Sequence, residues 1–227
     1  MSNAIVIIGG FSTSPRHYTR MADRLREIST LPVSVVPIMA GDWPGVIGQR
    51  GWTALLGKLD ATLTAAVATG ASEIIVVAHS LGGIVTRLYL APGLPLKFTA
   101  SCADRIKIVV TLGSPHQRGL VSRLNSWNHL DRCLVEHAPS IPIISVVGRV
   151  DYPRRPRSLA AYAARLRYRI HGAQRGELGD GIIPVKSAIF DPAHALILDG
   201  VKHDSVFGRP WYGDPEIVDR WWAAVGE

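Results

Sequence analysis

The sequence predicts an α/β fold, a mainly parallel, doubly wound sheet with helices on both faces. Three observations carry this. Apolar, β-branched runs at residues 4–8, 33–39, 73–78, 106–112, 141–147 and 195–198 are nearly continuous in Val and Ile, as strands covered on both faces require. Between them apolar residues recur at helical spacing, so strand and helix patterns alternate along the chain. A hydrophobic fraction of 47% and a charged fraction of 19% exclude a disordered or fibrous protein.

The first run, residues 4–8, has no basic segment before it and no cleavage site after it. It reads as a strand rather than a secretory signal, and a cytoplasmic location is the expectation. Ser14-Pro15 then gives a cap and first-turn signal, followed by Tyr18, Met21, Leu25 and Ile28 on one helical face. After the second run, Trp52, Leu55, Leu56, Leu59 and Leu63 repeat that spacing until Gly70 ends the helix. A last helix is expected from Pro215 to about Val225, with Asp214 as its cap. No apolar run reaches the roughly 18 residues of a membrane span. The 227 residues carry no internal repeat and suit one domain, residues 1–227.

The net charge of +7 is localised. Eight arginines and a single acid, Asp151, lie between Arg149 and Arg175, while basic and acidic residues balance at 17 each elsewhere. The Pro- and Gly-flanked segment 152–179 therefore reads as an Arg-rich insert, with residues 158–168 a good helix former. A solvated helical face is one reading of residues 149–175, and peripheral contact with an anionic membrane or an acidic substrate is another. Nucleic acid is not expected, because no aromatic platforms are interleaved with the charges. Cys102 and Cys133 have no metal-ligand spacing and read as buried thiols. No HExxH pattern or ligand cluster is present, so no metal and no other cofactor is expected.

In such a sheet, ligands bind beyond the carboxyl ends of the strands. The third run ends there in Ala78-His79-Ser80-Leu81-Gly82-Gly83, directly before the helical stretch from Ile84. A serine turned sharply between strand and helix exposes its Oγ on a strained backbone, and the residues two before and two after must be small. Ala78 and Gly82 satisfy that. The helix that follows aims its N-terminus at developing negative charge.

This turn resembles the nucleophile elbow of α/β-hydrolases, in the Ala-first variant of some small bacterial lipases. Thr111-Leu112-Gly113-Ser114-Pro115-His116 resembles the GTPH segment of lipases and of GPI inositol-deacylase-like proteins. Gly179-Asp180-Gly181-Ile182-Ile183-Pro184-Val185-Lys186-Ser187 resembles the DGxVPxxSA segment that holds the acid in that group. The resemblance runs from Ile5 to about Phe207 and fits least over the Arg-rich insert. It implies an α/β-hydrolase fold with a small cap or lid segment, and a lipase or esterase using Ser80 as nucleophile.

The family places its base after the last strand, which implies His203. His194 precedes that strand and belongs at the opposite edge. His79 points away from Oγ by strand geometry. His17, His129, His137 and His171 carry no motif, and Asp204 beside the base is expected to be exposed. Two acids are candidates. Asp151 directly follows the fifth run, whereas Asp180 has the lipase-like context and an Ile-Ile-Pro-Val segment that would seal it under the His203 loop, which favours it. The oxyanion hole is expected from the N–H of Leu81 and, by the resemblance, that of Phe11 in Gly9-Gly10-Phe11. There Gly9 stands where the family usually has histidine.

Segment 116–140 is the candidate small lid, with Leu120, Leu124 and Trp127 as possible acyl-pocket residues, or else an amphipathic helix on the sheet edge. Trp43 and Pro44 are candidates for another wall of the entrance. The expected chemistry is hydrolysis of a carboxylic ester of a small molecule or acyl lipid through an acyl-enzyme. A thioesterase or amidase would use the same triad, and a non-catalytic binding protein on the same fold is the reading from another class. Acyl chain length, head group and oligomeric state are not encoded in these patterns.

Overall fold

The computed structural model describes residues 2–47, 49–91, 98–117, 139–151, 159–171 and 176–225. Six strands form one sheet in the order β2-β1-β3-β4-β5-β6, with every neighbouring pair parallel. They are β1 (Ser2–Ile8), β2 (Val33–Val35), β3 (Ala71–His79), β4 (Ile106–Leu112), β5 (Ile143–Arg149) and β6 (Ala195–Asp199). All six runs expected from the sequence are strands; β4 has the expected ends, and the others differ at one or both. β2 stops before Pro37 and β5 starts after Pro142, because proline has no N–H to give to a ladder.

The helices are α1 (Thr19–Ser29), α2 (Gln49–Ala68), α3 (Leu81–Leu90), α4 (Leu159–Ile170), the single turn α5 (Val185–Ala188) and α6 (Pro215–Ala223). Pro15 opens a 3-10 turn, Pro15–Tyr18, that runs into α1, and Gly70 follows the end of α2 with a left-handed φ of 102°. Asp214 precedes α6, but its side chain does not cap it. It turns back to accept the Trp211 N–H at 3.1 Å and to pair with Arg209 at 3.0 Å.

Strand alternation sorts the core into two layers. Ala4, Val6 and Ile8 of β1 join Ile74, Val76 and Ala78 of β3 under α2 and α3, with Trp43, Trp52, Leu56 and Leu88. Ile5, Ile7, Ile75 and Val77 face the other way, toward Met21 and Leu25 of α1 and Ile217, Val218 and Trp221 of α6. Truncating such a fully buried side chain costs about 2–5 kcal/mol. β3 is therefore clamped from both sides, and its carboxyl end is a rigid mount. Trp43 belongs to this core: it is fully buried, and its place as an entrance wall is not realised. Cys102 is a buried free thiol.

Candidate active site

Ser80 sits between β3 and α3 with φ 52° and ψ −125°, a conformation that costs a non-glycine residue strain. Its N–H is held by the Leu112 carbonyl at 2.9 Å. The strained turn packs directly on the loop after β1. A Cβ on Gly82 would come within 2.6 Å of the Ile8 carbonyl oxygen and 2.8 Å of that of Gly9. A Cβ on Gly10 would stand 2.7 Å from Ser80 Cβ. The bare backbones at Gly10 and Gly82 thus bring Phe11 and Leu81 to the serine. Among the described residues the N–H groups of Phe11 and Leu81 form no backbone hydrogen bond.

His203 follows β6 and is buried. Its Nε2 lies 2.9 Å from Ser80 Oγ and its Nδ1 lies 2.7 Å from Asp180 Oδ2. A carboxylate only accepts, so Nδ1 carries the proton and Nε2 is the acceptor for the serine hydroxyl. The backbone strengthens the pairing, since the His203 N–H donates to the Asp180 carbonyl at 2.9 Å.

Asp180 is fully enclosed. Oδ1 accepts the Ile182 and Ile183 N–H groups at 3.0 and 2.8 Å, and Oδ2 accepts the Tyr212 hydroxyl at 2.9 Å besides His203. Burial works against ionisation here. The facing His203 and the two amide donors outweigh it, so the carboxyl is held below its ordinary range. Gly113, at φ 56°, makes the room: a Cβ there would lie 2.5 Å from Asp180 Oδ2 and 2.8 Å from the Tyr212 hydroxyl.

Asp151, the other acid considered, is exposed at the end of β5, just beyond the bridge between Val150 and Gly179. His194 stands before β6, exposed, and pairs with Asp191 at 2.9 Å. His79 does turn away from Ser80. Its Nε2 meets the His203 carbonyl at 2.9 Å and its Nδ1 meets the Tyr18 hydroxyl at 2.8 Å. Burial and the neighbouring His203 push its pKa down to about 3, which keeps this ring neutral. Since a carbonyl cannot donate, Nε2 bears the proton and Tyr18 donates to Nδ1. Tyr18 in turn accepts the Gly10 N–H at 2.9 Å.

Asp204 departs from expectation. It is buried, with Oδ2 3.0 Å from His17 Nε2 and Oδ1 accepting the Val206 N–H at 2.8 Å. Burial raises its pKa, but His17 and the amide prevail and hold it at about 2. Neither Tyr212 nor the His17–Asp204 pair carries a sequence motif that would have announced it.

A cavity of about 180 Å³ opens at Ser80 and His203, lined also by Gly10, Phe11, Ile182, Asp204 and Phe207. Trp43 meets this site through Phe11, whose ring centroid is 5.7 Å from its own. Leu120, Leu124 and Trp127 lie outside the described residues, as does most of the candidate lid. Among the described residues no group of three or more His, Cys, Asp or Glu could hold a metal ion, and no helix is long and apolar enough to cross a membrane.

Residues 60–132 match the PGAP1-like alpha/beta domain family, a segment that includes the Ser80 turn and β4. No curated protein matches the chain by sequence. Among solved structures, the chain is similar to the Bacillus licheniformis lipase BlEst2 in its mature form, at 16% identity and a TM-score of 0.65, over 98% of this chain and 91% of the lipase. It is also similar to the phospholipase PlaB of Legionella pneumophila, at 11% identity and a TM-score of 0.62, over 98% of this chain but only 58% of the phospholipase. The ydeN gene product of B. subtilis aligns along the whole of both chains at 13% identity, with a TM-score of 0.52. The parallel sheet, the serine turn at the end of its central strand and these likenesses together show that the chain has the α/β-hydrolase fold.

Proposed function

We propose that this protein is a serine hydrolase that cleaves carboxylic esters of acyl lipids through Ser80, His203 and Asp180. One observation carries the reading: a serine on a strained strand-to-helix turn stands 2.9 Å from an imidazole nitrogen whose other nitrogen is 2.7 Å from a buried carboxylate. A serine hydroxyl is unreactive at its own pKa and needs such a base.

His203 Nε2 takes the hydroxyl proton as Ser80 Oγ attacks the ester carbonyl. The oxyanion that forms meets the N–H groups of Phe11 and Leu81, which have no other backbone partner among the described residues. The protonated His203 hands its proton to the departing alcohol, leaving an acyl-enzyme. Water then attacks with His203 again as base, releasing the acid and restoring Ser80. Throughout, Asp180 holds the imidazole tautomer and balances the imidazolium charge. Phe11, Ile182 and Phe207 give the cavity an apolar wall suited to an acyl chain. The lipase and phospholipase among the structural relatives favour the lipid class of ester.

The test is labelling by an active-site fluorophosphonate, with p-nitrophenyl esters of graded chain length run with and without micelles. Labelling at Ser80 and ester turnover that falls by several orders of magnitude in Ser80→Ala are expected. No labelling, or an unchanged rate in the variant, overturns the proposal.

A further inference from the structure

The Arg-rich segment reaches the mouth of this cavity. Tyr168 of α4 is buried and its hydroxyl accepts the Gly181 N–H at 2.7 Å, which docks the helix on the loop that carries Asp180. One residue earlier, the Arg167 guanidinium carbon lies 4.7 Å from the centroid of the Phe207 ring. Phe207 itself lines the cavity with Ser80 and His203. A guanidinium resting on a ring face is fixed in place without using any of its five N–H donors.

Among the described residues those donors have no carboxylate partner. Among the described residues Arg167 forms no ion pair, and the acids of the site are engaged elsewhere. Asp180 serves His203, Tyr212 and two amides, and Asp204 serves His17 and the Val206 amide. Glu177, before the Asp180 loop, faces Lys186 at 3.8 Å. A membrane surface is read by charge that stands free in solvent, as the exposed Arg169 does, whereas Arg167 is half-buried against a residue of the cavity wall.

We propose that Arg167, held over Phe207, is a specificity-determining residue that binds an anionic group, a phosphate or carboxylate, carried by the ester substrate itself. The planar fork suits two oxygens of one such group, and the ring places it at the rim while the ester carbonyl is at Ser80. The proposal rests on the ester-hydrolase reading above.

The experiment compares two water-soluble esters with the same acyl group, glycerol monobutyrate and glycerol phosphate monobutyrate, in wild type, Arg167→Ala and Arg167→Lys. Wild type is expected to prefer the phosphate-bearing ester. Arg167→Ala should lower the ratio of kcat/KM values, anionic over neutral, at least tenfold and mainly through KM. Arg167→Lys, which keeps the charge without the fork, should recover part of it. No preference in wild type, or an equal loss on both esters in Arg167→Ala, overturns the proposal and leaves the hydrolase reading standing. A third arm presents a neutral long-chain ester in phosphatidylcholine or phosphatidylglycerol vesicles. A gain on phosphatidylglycerol that Arg167→Ala abolishes, without any preference among the soluble esters, would mean that the charge is read from the lipid surface, and overturns it too. If wild type hydrolyses neither soluble ester and is not labelled at Ser80, both readings fall.

Discussion

The hydroxyl of Tyr212 donates to Asp180 Oδ2 at 2.9 Å, on the oxygen that faces His203 Nδ1, and accepts the Gly148 N–H at 2.6 Å. One buried phenol therefore fastens the acid to the end of β5. Tyr212→Phe takes a donor from the carboxylate and an acceptor from a buried amide. The expected loss of stability is about 1–3 kcal/mol, read as a lower Tm. With one donor fewer, the Asp180 pKa rises, so the acid limb of ester turnover should move to higher pH. An unchanged Tm together with an unmoved acid limb would show that the bond does nothing for the acid.

Asp180 and Asp151 are told apart by their amides. Asp180→Asn should lower kcat by up to about 10⁴-fold, the scale on which a triad loses its oriented imidazole tautomer. Asp151→Asn, on an exposed residue, should leave kcat near wild type. The reverse outcome would move the acid to the end of β5.

Gly82→Ala pushes a Cβ against the carbonyl oxygens of Ile8 and Gly9, backbone atoms that cannot rotate away. Overpacking of this kind costs about 1–3 kcal/mol. The loop it displaces carries Phe11, so kcat should fall with Tm. Gly57→Ala is the contrast: its Cβ meets nothing within 4 Å inside α2, and the change should stabilise by roughly 0.5–1 kcal/mol. Chemical denaturation of both variants checks the pair.

The Asp204–His17 pairing predicts a pH signature. Asp204 has a pKa of about 2 in the fold against 3.8 ordinarily, so the stability it contributes is complete above the higher value and vanishes as pH falls through the lower. The Tm difference between wild type and Asp204→Asn should therefore be largest at about pH 5 and above, and shrink toward pH 2. Asp42, Asp180, Asp191, Asp199 and Asp219 are also depressed, so the variant itself still loses stability in acid. A difference constant with pH would show that the carboxylate is not selectively stabilised in the fold.

That Ser80, His203 and Asp180 meet was legible in the sequence because each stands in a local pattern: a small-residue turn, a loop after the last strand, an Asp-Gly-Ile-Ile-Pro segment. The strands were legible for the same reason, since burial on both faces writes itself into residues 4–8 of β1 and 74–78 of β3. Proline trimmed β2 and β5, a short-range effect that apolar runs do not register. Tyr212 and Tyr18 were not legible, because a phenol 32 residues from Asp180 or 61 from His79 has no sequence mark of the hydrogen bond it will form. Asp204 was misjudged as exposed for a related reason. Its partner is His17, brought from the far end of the chain by the turn before α1.

The neutral His79 has a mechanical consequence. Through Tyr18 it grips the amide of Gly10, and through Nε2 it grips the backbone of His203, so the loop bearing the Phe11 amide and the loop bearing the imidazole hang from one ring. A change that loosens Gly10 or Tyr18 should therefore reach the backbone of His203 through the His79 ring.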